Sequence, residues 1–169
     1  MKDMRVKTLA QGAVIAALYV VLTQIFAPIS FREIQVRVSE ALTVLPFFTF
    51  SAVPGLFVGC LLANMLGGAI PLDVICGSLA TLAGAIGTYY TGKAARRTMA
   101  GKLRFLAPVP PIAANTIVVP LVLYYGYGVN LPIWMQMLTV GLGEVIGCGV
   151  FGTVLLLALE KRGVRLLTT

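Results

Sequence analysis

Six polar side chains stand inside otherwise apolar stretches of this 169-residue chain: Glu40, Asn64, Asp73, Asn115, Gln136 and Glu144. In an apolar setting such carboxylates and amides exchange hydrogen bonds with a polar ligand, and the carboxylates also attract cations. Arg37, three residues before Glu40, adds a cation, and Trp134, two before Gln136, adds a flat ring for stacking. The chain has no histidine. This removes imidazole acid–base chemistry, Ser-His-Asp triads and the common zinc motifs. The inventory suits the binding of a small polar molecule better than catalysis.

The elements that must position these residues are membrane helices. Hydrophobic residues make up 59% of the chain and charged residues 11%, against about 25% charged in soluble domains. The apolar excess falls into several long runs, which leaves no room for a second, soluble domain. Spans of about 20 apolar residues place helices near 8–27, 39–52, 54–69, 71–91, 108–126 and 131–159. The first run follows a basic start and lacks a convincing cleavage site, so it reads as a retained span, with a signal peptide as the alternative. Helices 2 and 3 are short and meet at a turn or kink around Ser51-Ala52-Val53-Pro54, since the residue before proline avoids helical geometry.

Charge sets the orientation. Lys2, Arg5 and Lys7, then Lys93, Arg96, Arg97, Lys102 and Arg104, then Lys161, Arg162 and Arg165 hold all the basic residues except Arg32 and Arg37. These clusters flank apolar runs, so the formal charge of +7 reflects the positive-inside pattern rather than nucleic-acid binding. With six spans, both termini and all three clusters face the cytoplasm of a prokaryotic plasma membrane. The polar residues of five helices then lie in the outer half or centre of one bundle, as a cavity opening outward would require. A carboxylate at helix centre costs roughly 2.5–3.5 kcal/mol on insertion scales, so its presence calls for a partner or a ligand.

Structural alternatives stand beside each assignment. Arg37 and Glu40 suit a salt bridge on one helical turn. Asp73, just after Pro71, suits a helix N-terminus. Asn64 and Asn115 suit interhelical hydrogen bonding. Glu144 is the hardest to dismiss, because no basic residue is near it in sequence; its alternative is a protonated buried acid. Trp134, Tyr124, Tyr125 and Tyr127 form either an interfacial belt or a stacking surface. Alternation over 31–38 predicts an extended loop, which either covers the cavity mouth as a lid or is an ordinary connection. Pro120 frees the Thr116 carbonyl one turn from Asn115. Cys60, Cys76 and Cys148 read as small buried hydrophobes with no metal spacing.

Small residues at four-residue spacing let helix backbones approach. Gly55, Gly59, Ala63 and Gly67 predict packing within the chain. Helix 1 carries two such pairs, Gly12/Ala16 and Ala13/Ala17, and this paired stripe suits another subunit as well as packing within the chain. The glycines between 141 and 152 imply close packing or a ligand against backbone. Gly87 to Lys93 spells G-x-x-x-x-G-K, but Ala94 replaces the Ser or Thr of a P-loop and the preceding segment is a membrane helix. Gly92 and Lys93 read as a cytoplasmic helix end, so the chain has no ATPase of its own.

The stretch Ile34-Gln35-Val36-Arg37-Val38-Ser39-Glu40-Ala41-Leu42-Thr43-Val44-Leu45-Pro46 resembles the QueT-type queuosine-precursor transporters, substrate-binding S components of energy-coupling factor (ECF) transporters. The likeness continues through Pro54 to Cys60, Ala63-Asn64, Asp73, Gly77 to Thr81 and Glu144 to Gly147. It implies an all-α, integral-membrane six-helix bundle that captures 7-aminomethyl-7-deazaguanine or a related base from outside. It also implies a lid over 28–38 and docking through Ala13 and Ala17 onto a transmembrane coupling subunit. That subunit bears two ATPases, so ATP is used by the partners and the chain needs no cofactor or metal of its own. Alternatives are an S component for another vitamin, a stand-alone secondary transporter, and a small intramembrane enzyme using Glu144 or Asp73.

Overall fold

The computed structural model describes residues 2–26, 37–98 and 101–162. All regular structure in them is helical: α1 (Lys2–Ile25), a 3-10 helix (Val38–Phe47), α2 (Ala52–Leu66), α3 (Pro71–Thr98), a second 3-10 turn (Gly101–Leu106), α4 (Val109–Tyr125), α5 (Ile133–Glu144), a π-helical stretch (Val145–Gly152) and α6 (Thr153–Lys161). The last three run on as a single rod. Among the described residues, four helical stretches are long and apolar enough to cross a membrane: Arg5–Ile25, Pro71–Thr98, Lys102–Tyr125 and Ile133–Lys161. Val38–Phe47 and Ala52–Leu66 are shorter apolar helices. At about 2.0 Å rise per residue in a 3-10 helix and 1.5 Å in an α-helix, each covers less than the ~30 Å hydrocarbon core.

Several boundaries differ from those expected. The second helix is 3-10, not α, and stops at Phe47 rather than 52. Its three-residue period stacks Glu40 directly under Thr43, with Arg37 at the N-cap of the same face. The turn before α2 lies at Phe48–Ser51, and Pro54 sits inside the first turn of α2, where no intrahelical N–H is needed. Gly92-Lys93 is not a helix end. The α3 helix runs through it to Thr98, and Gly92 is instead a contact point: a side chain there would overlap the Phe47 carbonyl oxygen. The P-loop-like run is therefore continuous helix and cannot cradle a phosphate.

Helix α1 lies on α2 through small residues. A Cβ placed at Gly55 would fall 2.6 Å from the Gly12 carbonyl oxygen, and one at Gly59 would fall 3.0 Å from Ala16 Cα. Gln24 Nε2 adds a bond to the Ala63 carbonyl at 3.0 Å. The stripe of α2 thus uses the Gly12/Ala16 pair, while Ala13 and Ala17 stay exposed. An apolar core follows this seam, with Ile15, Tyr19, Leu56, Cys60 and Ala85 buried together.

The basic stretch after α3 meets the end of α6. Arg104 Nη1 pairs with Glu160 Oε2 at 3.1 Å, and Arg96 Nη1 donates to the Phe47 carbonyl at 2.6 Å. At the opposite end, the 126–132 loop meets the start of α3, where the Ile70 amide donates to Tyr127 Oη at 3.3 Å. The segment expected to form the lid, 28–38, lies outside the described residues apart from Arg37 and Val38, and Arg37 has extended backbone.

Candidate functional site

Four elements bring their polar side chains to one place inside the bundle. The 3-10 helix carries Glu40 and the rod carries Glu144, 1% and 6% exposed. Their carboxylates and the Cys148 thiol lie within 4.8 Å of one another. Cys148 is one helical turn beyond Glu144 and donates to its Oε2 at 3.2 Å, with Glu40 Oε2 3.8 Å away. Thr43 Oγ1 donates to the Glu40 carbonyl at 2.6 Å and sits 3.3 Å from the same sulfur. From α4, the buried amide of Asn115 is near enough to act on both carboxylates. From α1, the Tyr19 hydroxyl donates to Glu40 Oε1.

The close approach has a backbone cause. Gly147, in the π-helical stretch just after Glu144, faces the Arg37 carbonyl oxygen at a distance of 2.9 Å from an ideal Cβ, and Glu40 Cβ at 3.5 Å. Any side chain at 147 would push the 3-10 helix and Glu40 off the rod. Gly147, and Gly152 against Val44, therefore serve close packing, and the packing at Gly147 places the two carboxylates side by side.

Two like charges this close in a low-dielectric interior repel, and a proton or a cation between them relieves the repulsion. Arg37 is 8% exposed and lies near enough to act on both Glu40 and Asp73. Glu40, Glu144 and Cys148 also form a donor set for a small metal ion. The same oxygens suit an organic ammonium group, with Asn115 beside them for the amide-like edge of a ring.

A neighbouring group surrounds Asp73. Tyr127 Oη donates to Asp73 Oδ2 at 3.0 Å. Asn64 Nδ2 lies 3.5 Å from the Asp73 carbonyl and 3.7 Å from Cys60 Sγ, while Thr81 Oγ1 reaches Cys60 at 3.3 Å. Asn64 Oδ1 is buried without a hydrogen-bond partner among the described residues.

Other sequence-derived candidates land differently. Gln136 is buried but braces the outer loop, with Nε2 donating to the carbonyls of Leu131 at 2.8 Å and Val129 at 3.3 Å. Its Oε1 has no hydrogen-bond partner among the described residues. Trp134 is 63% exposed and Tyr125 73%, on the outer surface as a belt requires, whereas Tyr127 turns in to Asp73. An apolar groove of about 370 Å³ lies away from the carboxylates, against α1 and the 3-10 helix, and is lined by Val14, Leu45, Phe48 and Leu159 among others. Its lining suits a hydrocarbon rather than a polar ligand.

Tyr19 and Cys148 are the site residues that sequence reasoning passed over, and Thr23 is a structural link one turn from Tyr19 that touches neither carboxylate. Cys148 is not merely a small hydrophobe, since its thiol stands between two carboxylates. Thr23 Oγ1 bonds Ser39 Oγ at 2.7 Å. The signal was in the spacing: Gly12, Ala16, Tyr19 and Thr23 form one helical stripe, and Cys148 is four residues from Glu144.

Fold and site together define an all-helical membrane protein with a buried cluster of carboxylates and amides fit to hold a small polar ligand. The sequence model of the QueT transporter family matches residues 9–161, and the chain belongs to that family. A curated relative, the queuosine precursor transporter QueT of Lactococcus lactis subsp. cremoris (strain MG1363), is 38% identical over 84 residues. The match covers 48% of this chain and 49% of the relative, about half the length of each. No solved structure matches the chain.

Proposed function

We propose that this chain is the substrate-capture subunit, or S component, of an ECF-type importer for a queuosine precursor, 7-aminomethyl-7-deazaguanine or a close relative. The single observation that carries the substrate reading is the juxtaposition of Glu40 and Glu144 beside Asn115 in an otherwise apolar bundle. The ligand's aminomethyl group is a cation and relieves the repulsion of the paired carboxylates. Its guanine-like edge presents adjacent N–H donors that one carboxylate accepts together. Family membership and the function of the Lactococcus relative support the same substrate class.

In this reading the bundle makes six crossings with both termini cytoplasmic, the two short apolar helices reaching across as a pair. The basic clusters at one end and the polar cluster toward the other support that orientation. The exposed Ala13/Ala17 face meets a transmembrane coupling subunit, and two ATPase subunits supply the energy from ATP. The chain itself uses no cofactor and carries out no catalysis.

The test is titration calorimetry of the purified full-length chain with 7-aminomethyl-7-deazaguanine. Saturable binding at nanomolar to micromolar affinity is expected. No heat with this base, together with heat from another vitamin, overturns the substrate. Ion-driven accumulation in proteoliposomes holding this chain alone overturns the S-component role in favour of a secondary transporter.

A further inference from the structure

Helix α1 touches the outside of the bundle on one face and the carboxylate cluster on the other. Ala13 and Ala17 are exposed. Tyr19 and Thr23, each 0% exposed, point inward, where Tyr19 Oη donates to Glu40 Oε1 and Thr23 Oγ1 to Ser39 Oγ. Gly59 leaves Tyr19 no slack, for its ideal Cβ would stand 2.9 Å from Tyr19 Cβ. The phenol is therefore wedged between α2 and the 3-10 helix.

We infer that Tyr19 is a positioning residue that sets the cation selectivity of the Glu40–Glu144 site and ties that site to the position of α1. This deepens the reading given under Proposed function and rests on it. The hydroxyl occupies Glu40 Oε1, which leaves Oε2 turned toward Cys148 and Glu144. A cation entering there meets one oxygen edge from each carboxylate. Without the hydroxyl, Glu40 is free to rotate, and the paired edge that prefers an ammonium to a neutral group is lost. A shift of α1 along α2 withdraws the phenol in the same way, so an event on the exposed Ala13/Ala17 face reaches the ligand through one side chain.

The experiment compares two ligands of the same ring, 7-aminomethyl-7-deazaguanine and its neutral 7-cyano analogue, titrated into the purified full-length chain. Wild type is expected to favour the aminomethyl base. Tyr19→Phe is expected to lower that preference at least about fivefold, mainly by weakening the aminomethyl base. Thr23→Val, which cuts the neighbouring link but touches neither carboxylate, is expected to keep the wild-type ratio. An unchanged ratio in Tyr19→Phe, or equal losses for both ligands, overturns the inference. Wild type that binds neither base overturns the proposed function instead. Should Tyr19→Phe not fold, 3-fluorotyrosine at position 19 carries the test: its fluorine resonance must move on adding the aminomethyl base, and a resonance that ignores the ligand overturns the inference.

Discussion

Replacing Gly59 with valine joins the packing of α1 to the integrity of the site. A Cβ at this position would stand 2.9 Å from Tyr19 Cβ and 3.0 Å from both Cα and the carbonyl oxygen of Ala16, whereas ordinary contact begins at 3.4 Å. Two of the three obstacles are backbone atoms, so no rotamer change clears them. Helix α1 must retreat by about 0.5 Å, and more once the valine methyls are added. Overpacking of this kind costs about 1–3 kcal/mol. Valine recovers only about 0.4 kcal/mol over glycine in helix propensity, so a net loss of about 0.6–2.6 kcal/mol is expected. The retreat also draws the Tyr19 hydroxyl from Glu40. A hydrogen bond to a charged group is worth about 1.5–3 kcal/mol, so ligand affinity should fall by about tenfold or more. Both effects are measurable on detergent-purified protein, by thermal melting followed through tryptophan fluorescence and by ligand titration. Gly149→Ala is the control, because its Cβ would make ordinary contacts of 3.7 and 3.8 Å. If Gly59→Val melts and binds like wild type, or Gly149→Ala is the more damaged variant, the reasoning about this seam is refuted.

Glu144→Gln removes one charge from the pair while keeping its shape, and affinity for the aminomethyl base should fall by about 10- to 100-fold, the worth of a charge-assisted hydrogen bond; calorimetry showing wild-type affinity would take Glu144 out of the site. Ala13→Leu with Ala17→Leu places bulk on an exposed face, so ligand binding should persist while copurification with a coexpressed coupling subunit is lost; retained copurification would assign docking to another face. Burial raises the Tyr127 phenol above its ordinary value of 10.0, the backbone bond from Ile70 opposes this, and the Asp73 charge adds to it. The stability that Tyr127 lends through its protonated form is therefore complete below about pH 10 and fades as the pH rises through its folded-state value. Ultraviolet difference absorbance between wild type and Tyr127→Phe should place this phenolate's appearance above that of an ordinary tyrosine, and an earlier appearance would contradict the hydrogen bond to Asp73.

Much of the fold was legible in residue order. Apolar runs gave the long helices, because a bilayer imposes one length and one polarity on whatever crosses it. The four-residue spacing of Gly55 and Gly59 gave a close helix contact, since small residues on one face need no knowledge of the rest of the chain. The helix boundaries around Val38–Phe47 and Gly92 were misjudged for the opposite reason. A 3-10 period and a close approach to the Phe47 carbonyl are set by neighbours distant in sequence.

By itself, the sequence determined which polar groups the bilayer must enclose, which runs enclose them and where the basic ends lie, because each of these is a property of local composition. Only the tertiary structure decided their company. It set Glu40 against Glu144 through Gly147, slipped the Cys148 thiol between them, brought Tyr19 to Glu40 and Tyr127 to Asp73, and left Trp134 on the outer surface. Helical periodicity fixes the face on which a side chain lies, but the partner across that face follows from how separate helices pack.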